Sequence, residues 1–187
     1  LPGTPFADTI KFSDSFERAH DFGIIFNETK REVAIEKSRR YILDNWVLPL
    51  NPGFVRGKWS EATQRQFHMM IEPVDVVDYF GLLQTTRCTL TTPSSGSGWA
   101  TAKPWECFAA GVVCFFHPAY DDQNHILRDA PNALRVWLRV DSPQELKARV
   151  EYMRKNPLYW AEIVWLQRNH FDQAIERKRY LTTIEER

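Results

Sequence analysis

A doubly wound, Rossmann-like α/β domain built on a parallel sheet is the fold class this 187-residue sequence predicts. Three observations predict it. Short β-prone runs alternate with helix-start signals along most of the chain. The run 112–116, VVCFF, is apolar throughout, as a strand buried on both faces must be. A loop of small residues, Ser94 to Gly98, lies between a β-prone run and a helix start, where open α/β sheets bind ligands.

Composition sets the class. With 43% hydrophobic and 26% charged residues, the chain reads as an ordinary soluble protein. Twenty-four basic residues balance 24 acidic ones, so net charge gives no support for gripping nucleic acid unaided. No apolar run approaches a membrane span and no signal peptide opens the sequence, which predicts the cytoplasm. Cys88, Cys107 and Cys114 are an odd number in apolar surroundings and read as reduced core thiols. Residues 1–21 lack periodicity and read as a linker, or the tail of a missing N-terminal domain, ahead of a single domain over 22–187. A start at Leu1, without methionine, suggests a fragment or a processed chain.

In order, Phe22 to Asn27 reads as the first strand, and Thr29 as the cap of a helix ending near Asn45. Val33, Ile35, Tyr41 and Ile42 give that helix its apolar content. Trp46 to Leu50 is a second apolar run, stopped by Asn51, Pro52 and Gly53. Phe54 to Trp59 reads as a third strand or strand-like loop. Ser60 opens a helix through about Met70, although Ser60 and Thr63 do not form a capping box. Pro73 starts another, with Val76, Val77, Phe80 and Leu83 on one side. Cys88 to Thr92 is β-prone and leads into the small-residue loop.

Beyond the apolar run at 112–116, His117 to His125 reads as a polar, ligand-facing loop, with Asp121, Gln123 and Asn124 available to ligand hydroxyls. The alternation of Leu134, Val136, Leu138 and Val140 against Arg135, Trp137 and Arg139 predicts an edge strand. Ser142, Pro143 and Glu145 form the clearest helix start, followed by an apolar stripe at Leu146, Val150 and Met153. Asn156-Pro157 breaks that helix. A long final one runs from about Leu158 toward Tyr180, with Trp160, Val164, Phe171 and Ile175 on one face.

The chemistry concentrates in 91–127. Glycines and serines at 94–98 can bring backbone N–H groups close to a ligand. Pro104 suits a first helical turn, which puts Lys103 at the helix N-terminus. Free amides, the positive end of the helix dipole and an ammonium then converge where a phosphate would bind. Glu106, in the same turn, can accept hydrogen bonds from ligand hydroxyls. Gly111 ends the helix. Lys30 and Arg31 follow the first strand, at a turn that also faces the phosphates in this architecture.

Lys103, Glu106, Ala109, Gly111 and Val113 together resemble the K-x-x-E-x-x-A-x-G-x-V segment of GT-B glycosyltransferases, in their C-terminal, nucleotide-sugar-binding domain. The surrounding SGWATAKPWECFAAG and FFHPAYDDQNHIL are most similar to phage-type glycosyltransferases. The resemblance implies a Rossmann-like donor domain, a UDP-sugar as donor substrate, and an acceptor left open, modified bases in phage DNA being one option. It implies that Ser97, Gly98, Thr101 and Lys103 surround the diphosphate with Lys30 and Arg31, and that Glu106 binds the ribose. It sets Arg56, Gly57, Lys58 and Trp59 beside the nucleobase. It implies no tightly bound cofactor and no metal, and the spacing of His117, Asp121, Asp122 and His125 independently matches no zinc pattern. A complete enzyme would be about twice as long, with the acceptor and the base in the missing half. The sequence departs from the family at Gly98, where a longer form of the motif carries a second glutamate. Two alternatives remain from the residues: a non-catalytic nucleotide or nucleic-acid-binding module, and a divergent dehydrogenase. The latter lacks its fingerprint, since the first strand-to-helix turn reads NETKRE and not G-x-G-x-x-G.

Overall fold

Four parallel strands form one sheet in the order β2-β1-β3-β4: β1 His20–Ile25, β2 Phe54–Arg56, β3 Thr86–Thr91 and β4 Val113–Phe116. The computed structural model describes residues 17–28, 38–67, 74, 76–93 and 103–185, without the side chains of 67, 76, 77, 123 and 172–185. Gly23 pairs with Phe54, Phe22 with Cys88, and Cys88 in turn with Val113. From β1 the chain steps outward to β2, then returns past β1 to β3. The strand order therefore reverses between β1 and β3, and a crevice opens beyond their carboxyl ends. β3 and β4 are buried along their whole length, so both faces of the sheet are covered. This is the Rossmann-like architecture expected.

Right-handed crossovers dictate which helix lies on which face. The connection from β1 to β2 runs one way; those from β2 to β3 and from β3 to β4 run the other. Accordingly α3 (Val76–Gln84) packs on α4 (Lys103–Ala110), while the helical stretch after β1 packs on α7 (Pro143–Lys155). That stretch begins as α1 (Arg39–Ile42), capped by Ser38, whose Oγ accepts from Tyr41 N at 3.1 Å. It widens to a π-helix over Leu43–Val47 and tightens to a 3-10 turn over Leu48–Leu50. The run 46–50 is thus helical, and the helix does not end near Asn45. Leu43, Trp46 and Val47 are its buried positions, at helical spacing. Val33 and Ile35 lie outside the described residues.

Two further readings are corrected. The polar stretch after β4 is a helix, α5 (Pro118–Asn124), with proline in its first turn and His117 as cap: His117 Nδ1 accepts from Ala119 N at 3.2 Å. The expected edge strand at 134–140 is α6 (Asn132–Leu138). Leu134 and Leu138 are fully buried, whereas Val136 is 56% exposed. A two-residue alternation contains i,i+4 pairs, and here the helical pair faces the core. Only Arg139 keeps a strand-like bridge, to Phe116.

α2 (Glu61–Phe67) begins where Ser60 predicts, but its partner carboxylate comes from elsewhere. Glu28 accepts from Ser60 N at 2.6 Å and from Thr63 Oγ1 at 2.7 Å, completing across the turn the box the local sequence lacks. Burial pushes the Glu28 carboxyl up, but these hydrogen bonds outweigh it and hold it below the usual range. In α7, Ser142 Oγ accepts from Glu145 N at 3.1 Å, a cap worth about 1 kcal/mol.

The last helix, α8 (Pro157–Glu185), touches α4, α6, α7 and β4. Trp160, Val164 and Phe171 are buried as the spacing predicts; Ile175 lies outside the described side chains. Fully buried Gln167 donates to Val112 O and accepts from Cys114 N, both at 3.0 Å. The next residue, Arg168, donates to Phe108 O at 3.1 Å and Ala109 O at 3.3 Å, capping the C-terminus of α4. Gly111, at φ +71°, closes that terminus where a β-carbon would meet Arg168 Nη2 at 3.1 Å. No helix among the described residues is long and apolar enough to cross a membrane.

Candidate functional site

The crevice at the carboxyl ends of β1, β2 and β3 holds a cavity of about 370 Å³. Ile25, Phe26 and Asn27 floor it, Gly57 and Lys58 flank it, and Tyr79, Thr92, Lys103 and Glu106 close the other side with Arg39. Its shape depends on the turn after β2. Phe26 N donates to Arg56 O at 3.0 Å and Lys58 N to Asn27 Oδ1 at 2.7 Å, so the chains stay paired past the end of the strands. Gly57 permits this at φ +137°, since a β-carbon there would lie 2.1 Å from Phe26 O.

Lys103 crosses the mouth of the switch point. Its Nζ donates to Ile25 O at 2.9 Å and to Leu90 O at 3.1 Å, the carboxyl ends of β1 and β3. Two of its three protons are thus spent on carbonyls, and the third is left for the cavity it lines. The residue is half-buried and its ammonium is the enclosed part. Burial pulls its pKa below the ordinary lysine value, and the nearby Cys107, Cys114 and Glu106 offset only part of that.

Arg39 makes the same kind of bridge one layer out. Its Nη1 donates to Asn27 O at 2.8 Å and its Nε to Pro93 O at 3.1 Å, with the guanidinium 5.9 Å from the centre of the Phe26 ring. Lys103 Nζ lies at 5.9 Å from that ring too, so two cations adjoin one aromatic ring. Lys58 adds an exposed ammonium at the rim. Against these three cations the described lining residues include one carboxylate, Glu106, which accepts from Tyr79 Oη at 2.8 Å. Such an excess of positive charge, in a partly enclosed hollow, favours a multiply charged anion with hydroxyls nearby.

Of the residues expected from sequence, the structure brings Lys58, Lys103 and Glu106 together on this crevice. Lys30, Arg31, Ser97, Gly98 and Thr101 lie outside the described residues. In α5, where hydroxyl contacts were expected, the Gln123 side chain lies outside the described side chains, and the others are engaged within the protein. Asp121 accepts from Leu127 N and from Arg139, Asp122 also pairs with Arg139, and Asn124 donates to Tyr120 O. His117 is buried with its ring 4.6 Å from Trp46. The three thiols are buried, and burial pushes that of Cys88 upward.

Arg39 and Tyr79 escaped sequence reading. A signal existed for Arg39: Ser38 is a good cap, which sets Arg39 in the first turn of the helical stretch behind β1. Tyr79 left none, because its contact with Glu106 spans 27 residues.

No family model and no curated protein sequence matches the chain. Solved structures do match. The DNA-modifying enzyme β-glucosyltransferase, studied with and without uridine diphosphoglucose, superimposes over 91% of this chain and 51% of its own, with TM-score 0.69 and 13% identity. The T4 phage β-glucosyltransferase bound to UDP and a manganese ion gives TM-score 0.68 at 13% identity, over 91% of this chain and 48% of its own. A further T4 structure, concerned with substrate binding and the catalytic mechanism, gives 0.65 at 14% identity, over 91% and 50%. The chain therefore shares the fold of part of these glucosyltransferases and spans about half their length.

Proposed function

We propose that this chain is the donor-binding part of a glycosyltransferase and holds a UDP-sugar in the crevice between β1 and β3. The observation that carries the reading is the convergence of Arg39, Lys58 and Lys103 on the switch point, with Glu106 the one carboxylate among the described lining residues. A nucleoside diphosphate offers what that lining complements: a cluster of negative oxygens and, a few ångströms away, a pair of ribose hydroxyls. The fold shared with enzymes solved with UDP and uridine diphosphoglucose supports it.

In the reaction, the bond from the sugar's anomeric carbon to the diphosphate oxygen breaks and a bond to an acceptor oxygen forms. The electron pair leaves on the diphosphate, and the acceptor's proton goes to a base. Cations already fixed on backbone carbonyls stabilise the growing charge without rearranging, the usual source of such rate enhancement. Lys103 and Arg39 are held in that way. The small-residue loop at 94–98 would add backbone amides, with Ser97, Gly98 and Thr101 beside them, and Lys30 and Arg31 would add charge. Gly57 and Lys58 would border the base. The proton acceptor is assigned to no residue of this chain. We assign the acceptor to modified bases of DNA, in keeping with the neighbour described as a DNA-modifying enzyme, with contacts from parts of the protein beyond this domain. The reading calls for no resident cofactor.

Calorimetric titration of the chain with UDP, a UDP-sugar, NAD and an oligonucleotide tests it. UDP and the UDP-sugar should bind and the other two should not. NAD or oligonucleotide binding without UDP binding would overturn the proposal in favour of a dehydrogenase or a nucleic-acid module.

A further inference from the structure

We infer that Tyr79 is the positioning residue of this crevice. Its hydroxyl locks one oxygen of Glu106 and thereby presents the other to a ribose hydroxyl, so the site selects ribonucleoside over deoxyribonucleoside diphosphates. The inference rests on the donor-site reading above. Tyr79 stands on α3 and Glu106 in the first turn of α4, and the two helices pack on one another. The Tyr79 hydroxyl donates to Glu106 Oε2 at 2.8 Å, and both side chains line the cavity. The Tyr79 ring is fixed in turn, edge-on to Phe80 at 5.4 Å.

Unaided, a glutamate on the first turn of a helix samples many rotamers, and Glu106 would swing between solvent and cavity. A phenol donor removes that freedom. Burial, then the Cys107 thiol and the Glu106 charge, push the Tyr79 phenol far upward, so it stays a donor at any working pH. One carboxylate oxygen is then engaged, and the other keeps its lone pairs for the ligand. A ligand lacking the hydroxyl leaves that fixed acceptor unpaired, and sites built so discriminate strongly against the deoxy analogue. If Glu106 were loose, it could turn to water and the penalty would shrink.

Titration of UDP, 2′-deoxy-UDP and pyrophosphate into wild type, Tyr79→Phe, Glu106→Gln and the double variant decides the matter. Tyr79→Phe should bind UDP about three- to tenfold more weakly and pyrophosphate unchanged, with a smaller preference for UDP over its deoxy analogue. In the Glu106→Gln background, Tyr79→Phe should change nothing further. Glu106→Asp, which keeps the charge but shortens its reach to Tyr79, should lose the same preference even if Tyr79→Phe folds poorly. Equal weakening for all three ligands would make Tyr79 a packing residue and overturn the inference. So would an intact preference in Tyr79→Phe. A wild type that binds UDP no better than pyrophosphate would instead overturn the donor reading, and this inference with it.

Discussion

Two hollows of similar size lie at opposite ends of the sheet, and their charges are arranged in opposite ways. The hollow at the amino ends, about 450 Å³, is bordered by His20, Asp21, Lys147, Glu151 and Arg154. Its cations are matched by acids. Arg154 lies 3.9 Å from Asp21 and 3.7 Å from Glu151, Asp21 also lies 3.6 Å from Arg87, and Lys147 acts on Glu151 electrostatically. At the carboxyl ends, Lys103 and Arg39 bind carbonyl oxygens, which anchor them without neutralising them. Volume therefore does not distinguish a site from a dimple. Charge held in place and left uncompensated does, and parallel strands supply the means by ending in a row of carbonyls.

The contrast can be broken most sharply at Lys103. Lys103→Met keeps the stem and removes the charge, and should weaken UDP binding by roughly 1.5–3 kcal/mol, about one to two decades, in calorimetry. Arg154→Ala, across the sheet, should leave UDP affinity unchanged. Equal losses would show that the two hollows do not differ in kind. Gly57→Ala should lower the thermal midpoint by the equivalent of about 1–3 kcal/mol, because its left-handed backbone and the contact with Phe26 O tolerate no side chain. Arg39→Gln should cost about tenfold in affinity for UDP and pyrophosphate alike, as befits a phosphate contact.

A smaller effect concerns pH. Folding depresses the pKa of Lys103, so between its folded value and the ordinary value near about 10.4 the unfolded chain binds more protons. This group's contribution to stability therefore rises as pH climbs through the folded value. The melting temperature of Lys103→Met minus that of wild type should fall as pH rises toward the ordinary lysine value, about 10.4; a constant difference would place the ammonium in water. The smallest change is the stability loss of Arg154→Ala, below about 1 kcal/mol, since its partners are solvent-exposed.

What could be read in advance was what is local. Helix α4, its Gly111 stop and the buried β4 follow from adjacent residues, as does the Ser142 cap. What was lost depends on partners far away in sequence. Ser60 lacked its glutamate because Glu28, 32 residues earlier, supplies it. The stretch 134–140 satisfied two periodicities at once, and burial of Leu134 and Leu138 chose between them. Lys103 was legible as a cation at a helix start, but its anchoring on Ile25 and Leu90 was not. Half of the candidate site was visible as residue types; the tether that aims it, Tyr79, was not.

Gln167 has a consequence for how the molecule meets other copies of itself. An edge strand with free amides and carbonyls is a template for another chain's strand. Along β4 the Gln167 amide takes Val112 O and Cys114 N, and Val140 N takes Phe116 O at 3.1 Å. A helix side chain thus imitates the missing neighbour strand, and the groups an incoming strand would need are already bonded. Gln167→Leu would be expected to leave the fold recognisable while reopening that edge, turning a silent border into a seed for self-association under mild heating.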